Sequence, residues 1–253
     1  MISVAVCGAG GRMGSLVAAT VAATDDLDLV AAYDPAHGGE QVAGVVISTD
    51  PIVVGESDVV VEFTTPDVVM DNLGRWREMG IHAVVGTSGF DEARLTALRE
   101  QWGSGPPKCL VVPNFSIGAV LMIRMAEMAA PHFTASEIIE LHHDAKADAP
   151  SGTALSTASR MEGAPQERRI ESEEVIPGSR GGRASGGVPV HSVRLPGLLA
   201  HQEVLFGSPG ETLTVRHDTT DRISFMPGVL LALRSVATLP DPVTVGLEGL
   251  LGV

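Results

Sequence analysis

Two histidines and a lysine lie close together in the stretch ELHHDAKADAPSGTA, which runs from Glu140 to Ala154. His142 and His143 follow the apolar residues of a predicted strand, ASEIIEL, and Lys146 comes three residues later. An imidazole can donate or accept a proton near neutral pH, whereas an ammonium group only donates. Each residue alone is usually a surface or core side chain. Their coincidence in one short segment favours a site that protonates a bound molecule.

The same stretch opens a predicted helix with residues that favour anion binding. Ser151 is a typical N-cap, and the first backbone N–H groups of a helix have no partner within it. The N–H groups of Gly152 and Thr153 then lie at the positive end of the helix dipole, where a carboxylate binds well. The sequence thus predicts a small carboxylated ligand beside the imidazoles and the ammonium group.

A glycine-rich turn near the N-terminus, VAVCGAGGRMG, separates a predicted strand from a predicted helix. Glycines permit a tight turn and close backbone approach, so that helix N–H groups can face a pyrophosphate. The spacing is G-x-x-G-x-x-G, because Met13 occupies the sixth position of the stricter G-x-G-x-x-G pattern. Asp34 closes the next strand and is placed to accept hydrogen bonds from an adenosine ribose. This context predicts a nicotinamide dinucleotide cofactor.

Two charged residues bear on the choice between NADH and NADPH. The Asp34 carboxylate repels a 2′-phosphate and favours NADH. Arg12, in the glycine turn, is long enough to reach such a phosphate, so NADPH stays open. Two further strand ends, VVGTSG and VVPNFS, face the same sheet edge if the strands are parallel, and they are candidates for holding the nicotinamide half. Gly, Ser, Asn and Pro are also common in ordinary loops.

Bulk composition disfavours several classes of protein. The chain has 253 residues and a formal net charge of -14, which argues against binding to nucleic acid or to an anionic membrane. Its two cysteines, Cys7 and Cys109, lie in apolar runs and are expected to be reduced core residues. No apolar run is long enough to span a bilayer, and no H-E-x-x-H motif indicates zinc. A cytoplasmic protein without a metal site is expected.

The order of predicted elements indicates an α/β fold. Strand-like and helix-like segments alternate in the first half, which is typical of a Rossmann-like parallel sheet covered by helices. One of these helices is predicted to start at Thr65, as N-cap, and to stop at Gly80. Beyond Phe115 the pattern changes, and three strand candidates follow one another without helices. This favours a second α+β domain built on an open mixed sheet.

Domain boundaries follow from this change of pattern. Residues 1–116 plus 220–253 are predicted to form the dinucleotide-binding domain, and residues 117–219 the substrate-binding domain. A loop rich in Gly, Arg and Ser, from about Gly163 to Gly187, is given no role.

The block HHDAKADAPSGT resembles the signature of the dihydrodipicolinate reductase family, whose enzymes are also called 4-hydroxy-tetrahydrodipicolinate reductases. The segments VCGAGGRMG, VVGTSGF, VPNFSIGAV, GVPVHSVRLPG, AHQEVLFG and ETLTVRHD resemble other blocks of that family in the same order. The likeness spans nearly the whole chain, and the histidine–lysine block is far more specific than the glycine turn. One turn reads Gly-Thr-Ser where the family leads us to expect Gly-Thr-Thr, which retains a hydroxyl group.

The resemblance implies that a reduced nicotinamide passes hydride to a cyclic unsaturated dicarboxylate, with loss of water, in the diaminopimelate pathway of lysine biosynthesis. His142 and Lys146 would be the catalytic acids, and His143, Gly152 and Thr153 would bind substrate. The cofactor contacts implied are Gly8, Ala9, Gly10, Gly11, Arg12, Met13, Asp34, Gly86, Thr87, Ser88, Val112, Pro113, Asn114 and Phe115. The resemblance also implies that two domains close over the ligands and that the open sheet builds a homotetramer.

Two alternative functions are open on the residues alone. A non-catalytic NAD-binding sensor has no need of both His142 and Lys146. A semialdehyde dehydrogenase needs a nucleophilic cysteine in a polar loop, whereas Cys7 and Cys109 both lie in predicted strands.

Overall fold

The computed structural model describes residues 1–163 and 173–253, which divide into two compact units. The first comprises Met1–Ile117 and Phe225–Val253, and the second comprises Gly118–Ser224. The roles predicted for the two domains stay predictions. Part of the loop predicted before the second group of strands lies outside the described residues. Within those residues, no helix is long and apolar enough to cross a membrane.

Thirteen strands and seven helices occur in the described residues. The strands are β1 (Ile2–Cys7), β2 (Leu27–Tyr33), β3 (Gln41–Val42), β4 (Val45–Ser48), β5 (Val59–Glu62), β6 (His82–Val85), β7 (Cys109–Val111), β8 (Ala135–His142), β9 (Gly182–Arg183), β10 (Pro189–Arg194), β11 (Ala200–Ser208), β12 (Glu211–Thr219) and β13 (Val243–Val245). The helices are α1 (Arg12–Ala22), α2 (Val69–Glu78), α3 (Glu92–Trp102), α4 (Ile117–Ala129), α5 (Gly152–Arg160), α6 (Met226–Ser235) and α7 (Glu248–Leu251).

The first unit is built on an eight-stranded sheet in the order β13-β7-β6-β5-β1-β2-β4-β3. Its neighbouring strands are parallel except β3 and β4, which pair antiparallel. Alternate residues of β1 pack on opposite faces, because side chains alternate along a strand. Val4 and Val6 join a core with α1 and α6, whereas Ala5 and Cys7 join a core with α2 and α3. Helices on both faces explain why these strands are apolar throughout.

The second unit is built on a five-stranded mixed sheet in the order β12-β11-β8-β10-β9. β10 runs parallel to β8, because α5 carries the chain across between them, while β11 runs antiparallel to both β8 and β12. Helices α4 and α5 cover one face of the sheet through a core that includes Ile138, Val204 and Phe206. The loop predicted before β10 contains the short strand β9, which pairs with the first residues of β10.

Helix α2 begins later than the sequence predicts. The carbonyl oxygen of Thr65, the predicted N-cap, accepts hydrogen bonds from the N–H groups of Val68 and Val69 at 3.2 Å each. This turn precedes the helix, which starts at Val69 and ends at Glu78. Gly80 follows with a φ of +79°, as expected for a glycine that stops a helix. The predicted start was therefore wrong by one turn, whereas the predicted stop agrees with the structure.

The glycine turn is held together by close backbone contacts. A Cβ atom added at Gly14 would lie 2.0 Å from the carbonyl oxygen of Gly8 and 3.0 Å from Cα of Ala9. Gly8 has a φ of +73°, and a Cβ atom there would lie 2.3 Å from the carbonyl oxygen of Phe63. Both positions require glycine, since the crowding atoms belong to the backbone and cannot rotate away.

We expect Gly14→Ala to lower the free energy of unfolding by about 2 kcal/mol or more, because the added methyl group overlaps backbone atoms. Chemical denaturation measures the change. Gly249→Ala is the matched control, since a Cβ atom at this helical glycine has no neighbour within 4 Å. The control should leave stability unchanged or raise it by up to about 1 kcal/mol. Equal effects of the two substitutions would contradict the close contact at Gly14.

Candidate active site

His142 lies at the end of β8 and contacts a buried carboxylate on the same face of the strand. Its Nδ1 atom is 2.5 Å from Oε2 of Glu140. The Glu140 side chain has no exposed surface. Arg194, on the neighbouring strand β10, donates hydrogen bonds to both oxygens of this carboxylate, at 2.8 and 2.9 Å. The predicted catalytic imidazole is thus held by a buried ion pair that was not predicted from the sequence.

The charges around His142 act on its pKa in opposite directions. Burial lowers the pKa of His142, Glu140 raises it, and the positive charges of Lys146 and Arg194 lower it, so that it lies below its ordinary value. Burial alone would raise the pKa of Glu140, but the hydrogen bonds from Arg194 and other donors hold it below its ordinary value. Glu140 therefore stays an ionised acceptor at neutral pH, while the neutral imidazole of His142 predominates there.

Lys146 is paired with Asp148 in the loop after β8. Its Nζ atom lies 2.6 and 2.8 Å from the two carboxylate oxygens. The backbone N–H of Lys146 donates to the carbonyl oxygen of His143 at 3.1 Å, which closes a turn directly after the strand. The bond from Lys146 lowers the pKa of Asp148. Asp148 was not predicted as a partner of Lys146.

The start of α5 has the features expected of an anion site. The Oγ atom of Ser151 accepts a hydrogen bond from the N–H of Ala154 at 3.2 Å, and the N–H of Ser151 donates to Glu140 at 3.3 Å. The N–H groups of Gly152 and Thr153 have no acceptor within the helix by its geometry. A Cβ atom at Gly152 would have no neighbour within 4 Å, so the backbone is open to an approaching ligand.

In the first unit, the buried carboxylate of Asp34 contacts the glycine turn. It accepts hydrogen bonds from the N–H groups of Gly10 and Ala36, at 3.0 Å each. Nδ1 of His37 lies 3.0 Å from the same carboxylate. Two backbone N–H groups therefore already donate to Asp34, which leaves less acceptor capacity for a ribose than the sequence suggested. His37 was not predicted as a site residue.

The start of α1 is suited to a pyrophosphate. Gly11 is the N-cap and forms no side-chain cap bond, so the first N–H groups, those of Arg12 and Met13, have no side-chain cap. The N–H of Gly11 donates to the carbonyl oxygen of Gly8 at 3.0 Å and closes the turn. Ala9 is fully buried beneath it, whereas Arg12 is exposed. These residues fit a dinucleotide through their backbone, with Arg12 as the flexible charge.

In the loop after β6, fewer of the predicted cofactor contacts have an accessible side chain than the sequence suggested. The hydroxyl group of Thr87 is buried, donates to the carbonyl oxygen of Glu62 at 3.2 Å and accepts from the N–H of Thr64 at 3.0 Å. A Cβ atom at Gly86 would lie 2.2 Å from an aromatic ring, so glycine is required there. Ser88 is exposed. The Thr87 side chain therefore ties two loops together, and Ser88 carries the accessible hydroxyl.

The loop after β7 mixes core and exposed residues. Val112 and Phe115 are buried core residues, so that only their backbone atoms are placed for a cofactor. Pro113 is exposed, and the side-chain oxygen of Asn114 accepts from the N–H of Ser116 at 2.9 Å. Of the four predicted contacts in this loop, Pro113 and Asn114 are the two whose side chains reach the surface.

Glu62 is a second buried carboxylate that was not predicted. It has no exposed surface, and it accepts hydrogen bonds from Asn72 and Trp76, at 2.9 Å each, and from the hydroxyl group of Thr64. Burial raises the pKa of Glu62. These bonds tie the end of β5 to α2 beside the predicted cofactor loops. The sequence signal for Glu62 was an acidic residue directly after the apolar run VVV, at the end of β5.

Both cysteines are unsuited to nucleophilic catalysis. Cys7 and Cys109 are fully buried, and burial raises the pKa of each thiol well above its usual value. A reactive cysteine needs an accessible thiolate. The semialdehyde dehydrogenase alternative therefore lacks its nucleophile.

A Rossmann-like unit that opens with a glycine turn, followed by a separate α+β unit, is typical of one class of protein, the NAD(P)H-dependent oxidoreductases. Two family models match the chain: "Dihydrodipicolinate reductase, N-terminus" over residues 2–115 and "Dihydrodipicolinate reductase, C-terminus" over residues 118–251. The chain belongs to the dihydrodipicolinate reductase family.

Individual relatives agree with this assignment. The chain is 50% identical over 259 residues to the 4-hydroxy-tetrahydrodipicolinate reductase of Cutibacterium acnes, and 52% identical over 260 residues to that of Thermobifida fusca, with 100% of each chain covered. A solved structure of a dipicolinate-bound dihydrodipicolinate reductase from Paenisporosarcina sp. TG-14 is 36% identical, with a TM-score of 0.86 and coverage of 98% of this chain and 99% of that one. The predicted family, fold class and reductase activity are confirmed, and the non-catalytic sensor is not supported.

Proposed function

We propose that this reductase activity is divided between the two clusters described above, one in each unit. The reaction takes up one hydride and one proton, and it releases one water as 4-hydroxy-tetrahydrodipicolinate becomes tetrahydrodipicolinate. NADH or NADPH supplies the hydride when bound at the glycine turn. The observation that carries the proposal is that His142 and the start of α5 share the buried carboxylate of Glu140, while the charge of Lys146 acts on the same imidazole.

The proton is delivered by groups of the second unit. Lys146 is the donor that is available at neutral pH, because an ammonium group needs no prior protonation. His142 donates only in its doubly protonated form, which burial disfavours in the free protein. The two carboxylates of the substrate bring negative charge near the imidazole and raise its protonated fraction. Substrate binding and protonation of His142 are therefore coupled.

The substrate is oriented by its two carboxylates. One is bound by the N–H groups of Gly152 and Thr153 at the positive end of α5. His143, directly after β8, is assigned a contact with the substrate. Two donors of the Lys146 ammonium group bind Asp148, and its third donor is left for the substrate.

We expect Lys146→Ala to lower kcat by roughly 100-fold or more, since loss of a general acid typically has this effect. The dissociation constant for NADH should not change. The rate of NADH oxidation with the condensation product of aspartate semialdehyde and pyruvate measures kcat. Fluorescence titration measures the dissociation constant for NADH. The control is Lys108→Ala, which removes a lysine whose Nζ atom bonds the carbonyl oxygen of Pro240 in the first unit. Loss of NADH binding with turnover retained would show that Lys146 is misplaced in the proposal.

Asp34 is proposed to favour NADH. Its buried carboxylate at the end of β2 lies beside Gly10, so that a ribose bound there places its 2′-substituent near a negative charge. Two like charges about 4 Å apart repel by about 1 to 4 kcal/mol, depending on the surroundings. Arg12, which is exposed at the start of α1, offsets part of this repulsion and lets NADPH bind as well.

Asp34→Asn should raise the ratio of kcat/KM for NADPH to that for NADH by roughly tenfold, which corresponds to about 1.4 kcal/mol. Steady-state kinetics with both coenzymes measures the ratio. Asp28→Asn changes the net charge equally at the exposed start of the same strand and should leave the ratio unchanged. An unaltered preference in Asp34→Asn would remove Asp34 from coenzyme selection.

A homotetramer is proposed, assembled through the sheet face that α4 and α5 do not cover. Along β8, the half-buried residues Glu137, Ile139 and Leu141 alternate with buried ones. The same sheet face of another copy of the chain can pack against these half-buried residues and bury them completely. We expect sedimentation of the purified chain to give a four-chain species, and a stable monomer at assay concentrations would contradict this.

Cytoplasmic location stays a prediction.

A further inference from the structure

The reductase mechanism proposed above assigns no role to the ion pair between Glu140 and Arg194 in the second unit. We propose that Glu140 and Arg194 are positioning residues for His142: they hold the imidazole with its Nδ1 hydrogen on the carboxylate and keep Nε2 free for the substrate. The inference rests on the proposed function, because it takes His142 to act on the substrate.

The hydrogen-bond geometry determines which ring nitrogen carries the proton. Oε2 of Glu140 accepts from Arg194 at 2.9 Å, and Oε1 accepts from Arg194 at 2.8 Å and from the N–H of Ser151 at 3.3 Å. The contact of 2.5 Å between Oε2 and Nδ1 of His142 therefore joins an ionised acceptor to a ring nitrogen. An ionised carboxylate has no hydrogen to give, so Nδ1 must be the donor. In the neutral ring, the lone pair then lies on Nε2.

Arg194 keeps the carboxylate ionised and in place. A buried carboxylate without a cation is costly and takes up a proton instead. The two parallel bonds from one guanidinium group prevent this and also fix the rotation of the carboxylate. The same guanidinium donates to the carbonyl oxygen of Asp148 at 2.6 Å. Arg194 thereby links the carboxylate that holds His142 to the loop that carries Lys146.

The same carboxylate also reaches the proposed anion site. The N–H of Ser151, the N-cap of α5, donates to Oε1 of Glu140. The N–H groups of Gly152 and Thr153 follow directly in the chain. A shift of Glu140 would therefore displace the imidazole and the start of α5 together, which gives this side chain an effect on substrate orientation as well as on proton transfer.

The charged groups around His142 can be named from each neighbouring element. Glu140 lies on its own strand, Arg194 lies opposite it on β10, and Lys146, paired with Asp148, lies in the following loop. The residue opposite His142 on β11 is Ala200, which carries no charge. Removal of Glu140 and removal of Arg194 should thus act on the imidazole with opposite signs.

The test follows the titration and tautomer of His142 by NMR in the full chain labelled with 15N-histidine. His142→Asn identifies the signal among the eight histidines. In the wild type we expect the neutral ring to carry its hydrogen on Nδ1. In Glu140→Gln that preference should be lost and the titration midpoint should fall by about one pH unit. In Arg194→Met the midpoint should rise, because a repelling charge is gone and His142 is then the cation left in contact with the Glu140 carboxylate.

Kinetics provides the second readout. Glu140→Gln should lower kcat roughly 10- to 100-fold and move the pH dependence of kcat/KM in the same direction as the NMR midpoint, with the KM for NADH unchanged. Glu140→Asp keeps the charge and should restore part of the activity and the Nδ1 tautomer. If Glu140→Gln does not fold, Arg194→Met still tests the rise of the midpoint, Glu140→Asp still tests whether a carboxylate keeps the Nδ1 tautomer, and an unchanged midpoint in Arg194→Met overturns the positioning role.

The matched control is Glu137→Gln on the same strand. Glu137 holds a different histidine, His191, at 2.8 Å, so this substitution removes an equal charge and should leave the His142 signal unchanged. A His142 tautomer and midpoint unaffected by Glu140→Gln would overturn the positioning role. Absence of reductase activity in the wild type would instead reject the proposed function, and the NMR result is read independently of it.

Discussion

The carboxylate of Glu140 has no contact with solvent, and the arrangement of the second unit's site depends on how it is neutralised. Because an unpaired charge cannot remain in such surroundings, the fold has to bring a cation and several N–H groups to one point. Arg194 comes from β10, His142 from the end of β8 and Ser151 from the start of α5. The end of β8 and the start of α5 are also the parts of the unit to which the proposed chemistry is assigned. Satisfying one buried charge therefore orders the imidazole, the lysine loop and the helix start together.

A contrast within the chain shows why the choice of partner matters. Glu62 is buried as completely as Glu140, but its donors are the neutral groups of Asn72, Trp76 and Thr64. Its pKa is raised by burial, whereas the cation beside Glu140 keeps the pKa of that carboxylate low. The first arrangement ties a strand to a helix without adding a positive charge near the predicted cofactor loops. The second keeps a negative charge in contact with the imidazole of His142, the predicted catalytic acid.

Local sequence rules worked where one short segment decides the outcome. The glycine turn, the Ser151 cap and the Gly80 stop each depend on a few adjacent residues, and the structure has them as predicted. The start of α2 failed, because the Thr65 carbonyl closes a turn that competes with the helix. The short strands β3, β4, β9 and β13 were not predicted either. Two to four residues carry too little periodicity, and these strands exist because a neighbouring edge offers them hydrogen bonds.

Alternation along β8 contained a signal that was not used. Glu140 lies two residues after Ile138, so both side chains point to the core face of the strand. An ionisable residue on a core face needs a partner. The sequence could thus have marked Glu140 as paired, but it could not have named Arg194, which lies 54 residues further along the chain. The pairing depends on the register between β8 and β10, which many side chains set jointly.

By itself, the sequence determined the family, the Rossmann-like first half and the mixed second sheet, and it predicts the block of residues from His142 to Thr153 as the place of the chemistry. These follow from motifs and periodicities that are local or that recur as a set. Only the tertiary structure decided that Glu140 and Arg194 hold His142, that Asp148 holds Lys146, and that Thr87 is turned inward. Hydrogen bonds and charge pairing act over a few ångströms in space, and separation along the chain does not reveal which side chains the fold brings within that distance.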